Sequence, residues 1–85
     1  MEIELTPDAK QDLTYWKSKN NTKVLARIRE LLESISETPF HGIGKPEALK
    51  HNLSGKWSRR IDKENRIVYQ IKNNTIYIQS LKGHY

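Results

Sequence analysis

The sequence predicts an α+β fold in which an N-terminal strand and a helical hairpin pack on one face of a twisted antiparallel sheet. Three patterns predict it. Two stretches of helical periodicity, broken only at Asn20-Asn21, fill the first half of the chain. Three β-rich runs with short turn segments between them fill the last third. Within those runs the side chains alternate so that one face collects apolar residues and the other basic and amide residues.

The elements follow in order. Glu2-Ile3-Glu4-Leu5 alternates polar and apolar residues, which suits a strand with one covered face. Thr6-Pro7-Asp8 then signals a helix start: a hydroxyl cap, a proline at the first helical position, and an acid near the positive end of the helix dipole. Ala9, Leu13 and Trp16 recur at helical spacing, so this helix runs to about Lys19 and stops at Asn20-Asn21. Thr22 is placed to cap a second helix, whose Val24, Leu25, Ile28, Leu31, Leu32 and Ile35 form a broad apolar stripe before Thr38-Pro39 ends it. So short a break makes the two helices an antiparallel hairpin. Trp57 to Ile61, Arg66 to Lys72 and Thr75 to Leu81 are the three strands, joined through Lys63-Glu64-Asn65 and Asn73-Asn74. Parity assigns Trp57, Arg59, Ile61, Ile67, Tyr69, Ile71, Ile76, Ile78 and Ser80 to the face under the helices. Ser58, Arg60, Arg66, Val68, Gln70, Tyr77 and Gln79 fall on the other, uncovered face. Arg59, on the covered side, is expected to snorkel at an edge.

The 85 residues leave room for one domain, spanning residues 1–85. There is no cysteine, hence no disulfide frame and no thiolate nucleophile, and the three histidines are scattered without metal-ligand spacing, so neither metal nor cofactor is expected. The N-terminus is acidic where a signal peptide needs basic residues, and no apolar run approaches the roughly 18 residues of a membrane span, which points to the cytoplasm. The net charge of +5 is unevenly distributed: residues 1–40 hold six Lys/Arg against seven Asp/Glu, residues 41–66 seven against three, and residues 67–85 two against none. A basic surface confined to one half, with aromatic and amide residues between the charges, favours a nucleic-acid partner over a lipid surface.

Four groups in that half carry chemistry. Glu47, in a Gly-rich loop among Lys45, Lys50 and His51, is either a solvated carboxylate or a general base kept ionised by its neighbours. Arg60 and Arg66, diagonal across a hairpin on the uncovered face, are either solubilising charges or a clamp for a phosphate and its transition state. His84 is either a frayed terminal residue or a proton donor to a leaving alkoxide. Tyr85 is either terminal packing or a ring on which a base stacks. One carboxylate, two arginines and a histidine suggest RNA cleavage, in which the 2′-hydroxyl is the nucleophile. Two rival readings of the same basic face are a non-catalytic RNA- or ribosome-binding module and a recruiting surface for an acidic protein.

The string GKPEALKHNLSGKWSRRIDKENRIVY from Gly44 to Tyr69, with Tyr15-Trp16, Thr38-Pro39-Phe40 and the terminal His84-Tyr85, resembles the YoeB toxins of the RelE superfamily. The resemblance implies a RelE-like microbial RNase fold and a ribosome-dependent endoribonuclease that cuts messenger RNA in the ribosomal A site. It also implies a YefM-like antitoxin as partner and a homodimer when free. Carried over by position, it implies Glu47 as general base, Lys50, Arg60 and Arg66 as phosphate-facing cations, His84 as general acid and Tyr85 as the terminal aromatic. Relatives often have an arginine and an aromatic residue before the His-Tyr pair, where this chain has Lys82-Gly83.

Overall fold

In a computed structural model, which describes residues 1–83, two helices pack on a five-stranded mixed sheet. The elements are β1 (Glu2–Leu5), α1 (Pro7–Ser18), α2 (Thr22–Glu37), β2 (Glu47–Ala48), β3 (Trp57–Arg60), β4 (Arg66–Lys72) and β5 (Thr75–Ser80), with one turn of 3-10 helix at His51–Leu53. The strand order is β1-β5-β4-β3-β2. The β3-β4-β5 meander is antiparallel, as its short turns require, whereas β1 lies parallel to β5 with Ile3 opposite Ile76 and Leu5 opposite Ile78. The sheet is therefore mixed because the helical hairpin carries the chain back across it between β1 and the meander.

Local chemistry sets the helix ends. Thr6 Oγ1 accepts a hydrogen bond from the Ala9 amide at 3.2 Å, and the Thr6 amide itself donates to the Ile78 carbonyl, tying the start of α1 to β5. The cap of α2 is Asn21 rather than Thr22: Asn21 Oδ1 accepts from the Val24 amide at 3.1 Å, and Thr22 is the first helical residue. Asn20 takes a left-handed conformation (φ 54°) between the helices, which asparagine adopts more readily than most residues.

The core lies between the helices and one sheet face. Ala9, Leu31, Ile35, Ile67, Tyr69, Ile76 and Ile78 are fully buried, and Trp16, Val24 and Ile28 nearly so. Each large aliphatic side chain withdrawn in this way stabilises the fold by roughly 1.5–3 kcal/mol. The register, Trp57 opposite Tyr69, Arg59 opposite Ile67 and Ile71 opposite Ile76, puts the expected residues on the covered face. Ser80 is the exception. A bulge on β5 pairs Tyr69 with Ile78 but Val68 with Ser80, so one extra residue, Gln79, shifts Ser80 onto the face of Val68. That opposite face is also less open than parity suggests, because the row Ser58, Val68, Ser80 across three strands is buried.

Arg59 does not snorkel. Its side chain is fully buried, and all five of its N–H donors are used: Nε to Tyr69 Oη (3.2 Å), Nη1 to Ser34 Oγ (2.7 Å) and the Ile43 carbonyl (3.1 Å), and Nη2 to the Thr38 (2.5 Å) and His41 (3.0 Å) carbonyls. The acceptors are neutral dipoles, and Ser34 and Thr38 belong to the C-terminal end of α2, where the helix dipole favours a cation. Arg59 thereby fastens the loop between α2 and β2 onto the sheet. Gly44 lets that loop come close: a Cβ there would sit 2.7 Å from Leu31 Cδ2, 3.1 Å from Arg59 Cβ and 3.2 Å from the Arg60 carbonyl.

Candidate active site

The fastened loop delivers Glu47 to the edge of the sheet. Glu47 is not in an irregular loop but in β2, a two-residue strand opposite Ser58 of β3. Its side chain is mostly exposed, 62%, and reaches Arg66 at the start of β4, where Oε1 accepts from Nη1 at 3.2 Å. The same Nη1 donates to Ser58 Oγ at 3.2 Å. With 17% side-chain exposure, the Arg66 side chain is held by strand packing and two acceptors, while its carboxylate partner has room to move.

Arg60 stands directly opposite Arg66 in the β3–β4 register, not diagonal to it. Like charges facing each other across a ladder repel, so the pair is a standing cost to the sheet that an anion placed between them would relieve. Lys45, Pro46, Glu47, Arg60 and Arg66 line an open cleft of about 270 Å³. Lys45 holds φ 53°, a left-handed conformation uncommon for a lysine, and the Arg60 amide donates to the Gly44 carbonyl at 2.7 Å just beside it. Three cations and one carboxylate thus surround a cleft whose excess charge suits a phosphodiester. A larger cleft of about 620 Å³ lies along β1 and α1, but Ile3, Glu4, Leu5, Lys10 and Leu13 offer no such convergence.

The structure brings together Glu47, Arg60 and Arg66. Lys50 is not among the residues lining the cleft: it is exposed and precedes the 3-10 turn. His84 and Tyr85 lie outside the described residues. Two residues that bear on the cleft were not singled out from sequence: Lys45, which lines it, and Ser58, which is buried and accepts from Arg66. Lys45 carried a signal in its place two residues before Glu47. The role of Ser58 depends on a cross-strand neighbour that parity locates on a face but does not pair.

Comparison with known proteins is consistent across sequence and structure. The family model for the YoeB-like toxin of bacterial type II toxin-antitoxin system matches residues 5–85. Toxin YoeB of Escherichia coli K12 is 40% identical over 85 residues, covering all of both chains. A chain of the heterotetrameric YoeB-YefM toxin-antitoxin complex of Staphylococcus aureus is 45% identical and superposes with a TM-score of 0.90, covering 100% of this chain and 98% of that one. The YoeB dimer of the same organism gives 45% identity and a TM-score of 0.91 at the same coverage. A match along nearly the whole length, in a chain whose fold superposes as closely, places this protein in the YoeB-like toxin family of bacterial type II toxin-antitoxin systems.

Proposed function

We propose that residues 1–85 act as a single toxin domain, an endoribonuclease that cuts messenger RNA in the ribosomal A site and so inhibits translation in the cytoplasm, using protein side chains and no metal or cofactor. The observation that carries this reading is the convergence of Glu47, Arg66, Arg60 and Lys45 on one open cleft. Glu47 takes the proton of a 2′-hydroxyl, and the oxygen attacks the adjacent phosphorus. Arg66, with Arg60 and Lys45 beside it and Lys50 further along the RNA path, offsets the charge gathering on the phosphorane. His84 gives a proton to the departing 5′-oxygen, and Tyr85 offers a ring for a base. The products are a 2′,3′-cyclic phosphate, or the 3′-phosphate it hydrolyses to, and a 5′-hydroxyl. The Glu47–Arg66 ion pair fits a resting state: an incoming phosphate competes for the guanidinium and leaves the carboxylate available for the hydroxyl proton.

The partners follow the same charge logic. The Staphylococcus aureus relatives include a complex with YefM and a dimer. For this chain we infer a YefM-like antitoxin with an acidic segment that covers the basic sheet face, and a homodimer when the toxin is free. No helix among the described residues is long and apolar enough to cross a membrane.

The deciding experiment is incubation of the purified protein with ribosomes programmed by a defined message, followed by mapping of 5′ ends. Cleavage within or beside the A-site codon, and none on the free message, is expected. Ribosome binding without shortening of the message would leave a binding module instead of an enzyme.

A further inference from the structure

The end of the described chain is tied down at both of its flanks. On the α1 side, Trp16 Nε1 donates to the Leu81 carbonyl at 2.9 Å and Asp12 Oδ2 accepts from the Leu81 amide at 2.9 Å, while Lys82 Nζ sits 4.2 Å from the centre of the Tyr15 ring. On the other side, the turn between β3 and β4 grips Gly83: Asn65 Oδ1 accepts from the Gly83 amide at 2.9 Å, and the Arg66 amide donates to the Gly83 carbonyl at 2.7 Å. The orientation of the Asn65 amide is fixed by its own neighbour. Its Nδ2 donates to Asp62 Oδ1 at 3.1 Å, and a carboxylate accepts only, so Oδ1 must face Gly83. Asp62 Oδ1 also accepts from the Glu64 and Asn65 amides at 2.9 and 2.7 Å, which makes the turn a stiff bracket. Gly83 holds φ 86°, a backbone conformation in which an L side chain is strained, although a Cβ there would meet nothing within 4 Å.

We propose that Asn65 is a positioning residue for the C-terminal end of the chain: oriented by Asp62, it fixes Gly83 against the backbone of Arg66 and thereby sets the place of the proton donor that follows. This rests on the function proposed above, in which His84 is that donor. One turn then places two parts of the machinery. Its last backbone amide, that of Arg66, belongs to the residue whose guanidinium faces the phosphate, and its Asn65 side chain holds the segment leading to the acid. The segment that leads to the acid and the backbone of the phosphate-facing cation are thus held by the same bracket.

The test is single-turnover cleavage on programmed ribosomes with an ordinary message and one whose scissile 5′-oxygen is replaced by sulfur, a leaving group that hardly needs a proton. Asn65→Ala is expected to slow the ordinary message by about 10- to 100-fold, the scale of a donor misplaced by an ångström, with ribosome affinity unchanged. Sulfur should restore most of that rate, as it should for His84→Gln and should not for Glu47→Gln. The exchanged pair, Asp62→Asn with Asn65→Asp, keeps an acceptor for Gly83 and a donor across the turn, and should recover most of the wild-type rate. Wild-type cleavage by Asn65→Ala, or equal slowing on both messages, overturns the positioning role. A wild-type protein that does not cleave overturns the function itself, and a His84→Gln protein that sulfur fails to rescue overturns the donor role of His84 and the positioning role with it. The tether is read independently in the free protein, where Asn65→Ala should speed exchange of the Gly83 amide hydrogen by about tenfold or more; unchanged exchange overturns it.

Discussion

Arg59 and Arg60 are adjacent in β3, and the pleat sends them to opposite faces with opposite consequences. Arg59 is wholly buried with five neutral acceptors on its five donors, three of them backbone carbonyls of the loop it fastens. Arg60 is exposed, and its guanidinium makes no hydrogen bond or ion pair among the described residues; among the same residues the guanidinium of its cross-strand neighbour Arg66 is joined only to Glu47 and Ser58, through one nitrogen. A cation whose donors are all satisfied has nothing left to offer a substrate, and one in an open cleft contributes little to the fold. Stability and binding are thus divided between the two faces of a single strand.

Substitutions on the cleft side should produce the largest effects, and they should be effects on rate. Glu47→Gln is expected to slow cleavage by about two to four orders of magnitude, because an amide accepts a hydrogen bond but does not take the proton. Arg66→Ala should cost as much in rate while moving the unfolding midpoint little, since an ion pair with so exposed a carboxylate is worth about 0–1 kcal/mol. Single-turnover kinetics beside urea unfolding measures both. A loss of several kcal/mol in Arg66→Ala would erase the division of labour between the faces.

Arg59→Ala should show the reverse pattern. It removes five hydrogen bonds and leaves a hole at which Ser34 Oγ, Tyr69 Oη and three carbonyls each lose a donor. Bonds to a charged group are worth about 1.5–3 kcal/mol each, and relief of the buried charge offsets part of the loss, so a cost of roughly 3–5 kcal/mol is expected. What activity survives should track the folded fraction. Gly44→Ala attacks the same fastening more mildly. The Leu31 methyl is the end of a side chain and can give way, but Arg59 Cβ and the Arg60 carbonyl cannot, and φ is 81°, so about 1–3 kcal/mol is expected from denaturant unfolding. An Arg59→Ala protein as stable as wild type would show that the loop holds itself.

The contrast also marks where sequence reasoning succeeds. Period and alternation placed both helices, the meander and the apolar face, because those patterns are local and repeat over many residues. Alternation put Arg59 on the covered side, but the edge snorkelling expected of it there was wrong, since its acceptors come from residues 16 to 25 positions away in the chain and from Tyr69 across the hairpin. β2 is two residues long, too short for any period, so Glu47 read as loop. The parallel pairing of β1 depends on where the helices return the chain. The bulge at Gln79 has no local signature, and it alone overturned the placement of Ser80. Of the cleft, Glu47, Arg60 and Arg66 were legible from residue type and face; Lys45 was visible as a neighbour of Glu47 but not as a cleft residue, and the part of Ser58 emerged only with the cross-strand register.

The smallest expected effect tests the buried side through pH. Tyr69 Oη donates to the Pro39 carbonyl at 2.6 Å and accepts from Arg59 at 3.2 Å. Burial pushes its ionisation above the ordinary tyrosine value near 10, and the pull of Arg59 toward the phenolate offsets this only in part. In the unfolded chain the phenol ionises at its ordinary value, while in the folded one it stays neutral to higher pH. The resulting stabilisation is whole below about pH 10 and is lost as pH rises through the folded value. Tyr69→Phe removes the titrating group together with both hydrogen bonds, so it should be less stable than wild type by about 1–2 kcal/mol at pH 8. Between pH 10 and 11 that gap should narrow, because only the wild type has this phenol to keep neutral. Urea unfolding of both proteins across pH 8–11 measures the gap; one that stays constant or widens would mean that Arg59, not burial, dominates at Tyr69.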